Sequence, residues 1–165
     1  MVEDEDLLLA VLNSAPVIDG CPTDFLSGEG AADWIRALGG RGVKEECDRL
    51  RLVRDTLHRL VRRTSSDVGE LTLALDGARL RPAVSPAGVV WHLEAEPGEE
   101  LAVRVVLAWS RVTTELPRRL RACANRECNL FLIDHSRPGT ARWCSMAVCG
   151  NRMKARTHAR KRHVG

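Results

Sequence analysis

No stretch of the 165-residue sequence is apolar for the length that a bilayer crossing needs, since the run Leu7–Leu12 falls far short of the roughly 20 residues required. Where a secretory signal would open with basic residues, the chain begins Met1-Val2-Glu3-Asp4-Glu5-Asp6. These absences predict a soluble, cytoplasmic protein with no membrane partner. Residues 1–117 also lack paired catalytic carboxylates in a supporting context, a Gly-rich phosphate loop and a nucleophile motif, so the expectation is that the protein is not an enzyme. There is no internal repeat or low-complexity tract. Aromatic residues make up only 4% of the chain, with no tyrosine, and the last quarter holds just Phe131 and Trp143, too few to stack many unpaired bases.

Negative charge is scarce at one end. Residues 118–165 carry 12 Lys/Arg against two acidic residues, Glu127 and Asp134, a balance of +10, while residues 1–117 carry 13 against 20, a balance of −7. The overall net charge of +3 hides this split, which concerns partners rather than fold. A polyanion is one partner for the basic end; the acidic half of the same chain is the alternative.

Four of the six cysteines lie in that basic end, as Cys123-x4-Cys128 and Cys144-x4-Cys149 with fifteen residues between the pairs. Two short, evenly spaced pairs joined by such a loop suit a tetrahedral thiolate site for Zn2+, each pair supplying two corners. In a reducing compartment, clustered cysteines point to metal ligation rather than disulfides. Four thiols close the shell without His135 and leave no open position for water or substrate, so the ion is expected to act as a scaffold and not as a catalyst. Cys21 reads as an incidental loop thiol and Cys47 as a small core residue.

Along the chain, Asp6–Leu12 reads as a short helix. Ala31, Trp34, Ile35 and Leu38 recur at helical spacing up to Gly39-Gly40, a stop. Lys44–Arg63 sets Cys47, Leu50, Val53, Leu57, Leu60 and Val61 on one face of a strong amphipathic helix, with His58 expected at its surface among arginines. Ser65-Ser66-Asp67 is a cap for a short helix over Val68–Leu75. Leu80–Val84 and Val89–Ala95, around Ser85-Pro86-Ala87-Gly88, predict a β-hairpin carrying Trp91 and His92. Leu101–Trp109 is apolar nearly all round and predicts a central buried helix, with Pro117 as its end.

The expected fold is α+β: a mainly helical domain over residues 1–117 with a small β-hairpin, then a treble-clef-like zinc module over 118–165 that ends in a basic helix. In the module, two cysteine turns flank the apolar strand Leu130–Ile133 and a turn at Arg137-Pro138-Gly139-Thr140. Phe131, Ile133, Trp143 and Met146 make a core too small to fold alone, so metal binding is expected to supply roughly 10 kcal/mol or more of folding free energy. The closing helix, read from Met146 to Arg162, turns Cys149 and Met153 inward and sets Arg152, Arg156 and Arg160 on a second face. Lys154, Lys161 and Arg162 add to its charge. Like charges at that spacing repel by a few tenths of a kcal/mol per pair, a penalty that a phosphate backbone reverses.

The tetrad Cys149-Gly150-Asn151-Arg152 resembles the signature of the CGNR zinc-finger family, whose N-terminal part is called the ABATE domain and whose bacterial members are described as stress-induced transcription regulators. The likeness runs through Cys123, Cys128, Leu130-Phe131, Asp134, Ser136-Arg137, Arg142-Trp143-Cys144-Ser145-Met146 and Lys154-Ala155-Arg156. It continues more loosely in Leu7–Asn13, Asp19-Gly20 and Trp34-Ile35. Family members often carry Asn where this chain has Pro138. The resemblance implies Zn2+ on the four cysteines and double-stranded DNA against the last helix. Structural roles follow for Asp134, Trp143 and Asn151: the Asn151 amide is placed to hydrogen-bond the knuckle backbone or a thiolate, and Arg152 to pair with Asp134 or to reach phosphate. The helical domain is expected to bind a small-molecule effector or to form a homodimer. A zinc-scaffolded adaptor for an acidic protein and a thiol redox sensor are the rival readings.

Overall fold

The computed structural model describes the backbone of residues 4–162 and the side chains of 4–156. Six helices and three two-stranded antiparallel ribbons follow one another: α1 (Asp4–Leu12), β1 (Val17–Ile18), β2 (Cys21–Pro22), α2 (Ala31–Ala37), α3 (Lys44–Val61), α4 (Gly69–Ala74), β3 (Arg79–Ser85), β4 (Gly88–Glu94), α5 (Glu100–Glu115), β5 (Leu120–Ala122), β6 (Phe131–Ile133) and α6 (Asn151–Arg162). The class is α+β, as the sequence predicts. Among the described residues, no helix is long and apolar enough to cross a membrane.

The core is built by helices whose apolar stripes meet. Leu7, Leu8, Val11 and Leu12 of α1 pack with Leu50, Val53 and Leu57 of α3, and with Leu101, Ala102, Val105 and Val106 of α5, all at most 3% exposed. The loop between α2 and α3 closes tightly. Gly40 is required there, because a Cβ would stand 2.5 Å from Ile35 Cγ2 and 2.6 Å from Leu101 Cδ1. In the first turn of α3, the buried Glu46 carboxylate accepts the amides of Arg41 and Gly42 at 2.9 and 2.8 Å, which satisfies donors that the tight turn cannot pair. Asp67 Oδ1 accepts from Gly69 N at 2.9 Å and opens α4.

A second polar anchor holds the loop before α2. The buried Arg54 guanidinium grips Asp24 through both terminal nitrogens at 2.6 and 3.1 Å, and also bonds Asp55 and Ser14. Burial opposes ionisation of Asp24, but the Arg54 hydrogen bond and charge outweigh it and hold this carboxyl below its usual range.

The zinc-module segment shares the helical core, which corrects the expectation of a small core of its own. Phe131 and Ile133 join the main buried cluster, while Met146 is 53% exposed and Trp143 half-buried. The reason is that β6 lies against α1 and is tied there: the Asn13 amide accepts from Phe131 N at 2.7 Å and donates to Phe131 O at 3.3 Å, standing in for a strand partner. Asn129 extends the clamp by donating to Ala15 O at 2.8 Å and accepting from Arg62 at 2.7 Å.

His58 also departs from expectation. It is not a surface residue: its ring lies 4.4 Å from the Phe131 ring, and Nε2 donates to Leu12 O at 2.8 Å. The module covers the end of α3 that the sequence pattern leaves open. Burial, then the charges of Arg62 and Arg54, push the His58 pKa down to about 4. The folded protein therefore binds this proton less readily than the unfolded chain, and stability is whole above the unfolded value of about 6.5 and declines as pH falls towards 4, by about 3 kcal/mol in all. Denaturant unfolding measured at pH 7, 6, 5 and 4 is expected to show this decline, and His58→Gln should flatten it relative to the native chain.

Candidate metal centre

The backbone delivers the four cysteines in two turns. Cys123 follows β5 directly, with its amide bonded to Leu130 O at 2.8 Å, and the chain turns through Asn125 so that Cys128 N meets Asn125 O at 2.9 Å. Cys144 returns from the second turn, pinned by the bond from Ala124 N to Arg142 O at 2.8 Å. Cys149 sits in a five-residue π-turn, Met146–Gly150, that precedes α6. The sequence pattern runs one continuous helix through this turn. The wider turn, closed by Gly150 N on Ser145 O at 3.0 Å, carries the last sulfur back to Cys144 across the four-residue gap.

All four Sγ atoms lie within 4.8 Å of one another, with Cys128–Cys144 and Cys144–Cys149 each at 3.7 Å. A tetrahedral thiolate shell around Zn2+, with bonds near 2.3 Å, separates its sulfurs by about 3.8 Å, so this donor set fits that ion. Cys123 and Cys149 are buried and the other two half-buried. Burial and then the crowding thiols push Cys144 well above the ordinary thiol range, and burial raises Cys128 as well. At Cys149 burial is outweighed by the Asn125 amide and the neighbouring thiols, which lower its pKa. Thiols this close resist joint ionisation, and a divalent cation among them supplies the charge that stabilises four thiolates together.

Asn125 is a functional residue that the sequence reading missed. It is 1% exposed, its amide points at Cys149 Sγ at 3.6 Å, and its carbonyl oxygen accepts Glu127 N at 3.3 Å. Its position between two ligands two and three residues away is the only signal the sequence offers. Asn151, the asparagine of the tetrad, instead donates to Ala147 O at 3.3 Å and steadies the turn backbone, without a thiolate bond. Gly150 leaves room for its neighbours: a Cβ there would stand 2.8 Å from Met146 Sδ and 3.4 Å from Trp143 Cδ1.

Asp134 is buried and fully engaged. It accepts Ser136 N and Oγ at 2.9 and 2.6 Å and Ala141 N at 3.0 Å, with Arg119 and Arg121 at 3.6 and 3.5 Å. The Ser136 hydroxyl, foremost among these, holds its carboxyl below the usual range. Of the two roles open to Arg152, the pair with Asp134 is not formed: Asp134 spends its acceptors on the 134–141 turn, and Arg152 stands exposed on α6. Arg119 and Arg121, which count towards the basic balance of residues 118–165, bond turn carbonyls, at Ser136 for the first and at Ala141 and Gly139 for the second.

Trp143 packs under the Arg142 guanidinium, 5.5 Å from its ring centre. Lys154 is exposed, and Arg156 reaches from α6 to Glu127, bonding both carboxylate oxygens at 3.0 and 2.8 Å. The side chains of Arg160, Lys161 and Arg162 lie outside the described ones.

Knuckle, ribbon, turn and closing helix around a tetrathiolate cluster define a structural metal-binding finger. Residues 119–162 match the family model of the CGNR zinc finger, so the carboxy-terminal quarter is similar to that finger. No curated protein matches the chain.

Metal analysis is expected to find one ion per chain, and Co2+ in its place should give the intense visible bands of tetrahedral cobalt thiolate. Asn125→Ala should weaken metal affinity by about 10- to 100-fold in a chelator competition, as loss of a group that orients a ligand does.

Proposed function

We propose that the protein is a Zn2+-dependent DNA-binding transcription regulator of the cytoplasm, in which the metal centre mounts α6 against duplex DNA, and that it is a binding protein rather than an enzyme. The observation that carries this reading is the one-sided charge of a rigid platform. Arg126, Arg137, Arg142, Arg152 and Lys154 are exposed around the cluster, and the quarter's two acidic residues are already engaged, Asp134 inside the turn and Glu127 on Arg156. Exposed guanidinium groups suit phosphate oxygens and guanine edges, and a fixed scaffold lowers the entropy lost when they dock. The family's association with stress-induced regulators supports the same reading, with the helical body as the sensing part.

An adaptor for an acidic protein makes a different demand, because its affinity does not depend on the density of phosphate charge along a duplex. Fluorescence anisotropy of a labelled duplex at several salt concentrations separates the two. The expected result is a linear fall of log K with log salt, and Arg152→Gln and Lys154→Gln should each lower the slope by about one phosphate. Cys144→Ser should abolish binding along with the metal. Absence of duplex binding by the zinc-loaded chain at low salt would sink the proposal.

A further inference from the structure

The β3–β4 hairpin stands out from the core with its side chains segregated by face. The register pairs Leu80 with Leu93, Pro82 with Trp91 and Val84 with Val89, so these six share one face. The intervening pairs, Arg79 with Glu94, Arg81 with His92 and Ala83 with Val90, share the other. The apolar face is open: Val84 is 90% exposed, Trp91 60%, Val89 58% and Leu80 50%. A two-stranded ribbon is marginal in water by itself, and one that keeps such a face uncovered is short of the burial that normally holds a sheet.

We infer that this face is where a second copy of the chain docks, hairpin on hairpin. Three observations choose that occupant. The face carries no charge, since Arg81 and Glu94 meet at 2.5 Å on the opposite side, so a charged peptide or polyanion finds nothing to pair with there while an identical neutral face meets no repulsion. Its register allows a symmetric match: a two-fold along the hairpin would bring the Trp91 ring of each copy over the Pro82 of the other, and Leu80 and Val84 over Leu93 and Val89. The exposed parts of the six side chains on two copies offer at most on the order of 1,000 Å2, about the least that a specific interface needs, so the dimer is expected to be reversible and dependent on concentration.

Sedimentation equilibrium of the full zinc-loaded chain over roughly 1–500 μM is expected to move from monomer to twice the monomer mass, a range that covers reversible association. Val84→Glu and Trp91→Glu should each raise the dissociation constant about tenfold or more by placing a charge on the face. Val90→Glu, on the opposite face, should leave it within about twofold. Val84 is at the exposed tip, so its variant should keep the native far-ultraviolet circular dichroism. A monomer at every concentration overturns the inference, as does a dimer indifferent to Val84→Glu and Trp91→Glu or equally weakened by Val90→Glu. A monomer that instead floats with neutral lipid vesicles assigns the face to a lipid surface and overturns it as well.

Discussion

Four sulfurs held within 4.8 Å set the terms for the rest of the carboxy-terminal quarter. Crowded, partly buried thiols are poor company for one another as anions, and they become a stable unit when a dication shares their charge. Everything around them serves that geometry: a knuckle after β5, a ribbon that returns the chain, a π-turn that brings the last sulfur into range, and the Asn125 amide directed at it. None of these features stabilises much alone. Together they fix the direction in which α6 leaves the cluster, and that direction is what a DNA-binding reading depends on.

The cluster is not isolated from the helical body. Cys128 is followed directly by Asn129, whose side chain bridges Ala15 O and the Arg62 guanidinium, and Arg62 lies 4.4 Å over the ring of Phe131. Phe131 is itself part of the core shared with α1 and α3. The ligand Cys128 is thus one position away from a side chain that the body holds on two sides. Such a short path is a physical basis for coupling the helical body to the metal centre, provided both ends have two arrangements to choose between.

Local features of the fold were legible in the sequence, and relations between distant segments were not. The stripes of α3 and α5, the Gly39-Gly40 stop, the hairpin around Pro86 and the four-cysteine spacing all declare themselves within a few residues, because period and turn chemistry are short-range. The burial of His58 depends on a strand more than seventy positions away, and so do the bonds between Asn13 and Phe131. Arg119 and Arg121 look like any other surface arginines until the 134–141 turn supplies carbonyls and a buried carboxylate for them. The tetrad asparagine drew attention through its motif, whereas Asn125 had only its place between two ligands to recommend it.

The π-turn also restricts how this segment can change over evolutionary time. Removing or adding one residue between Cys144 and Cys149 would rotate the last sulfur by about 100° around the helix axis and turn it out of the cluster. A change of length in the short span before α6 should therefore be tolerated poorly, because the number of residues there sets which way the last sulfur faces.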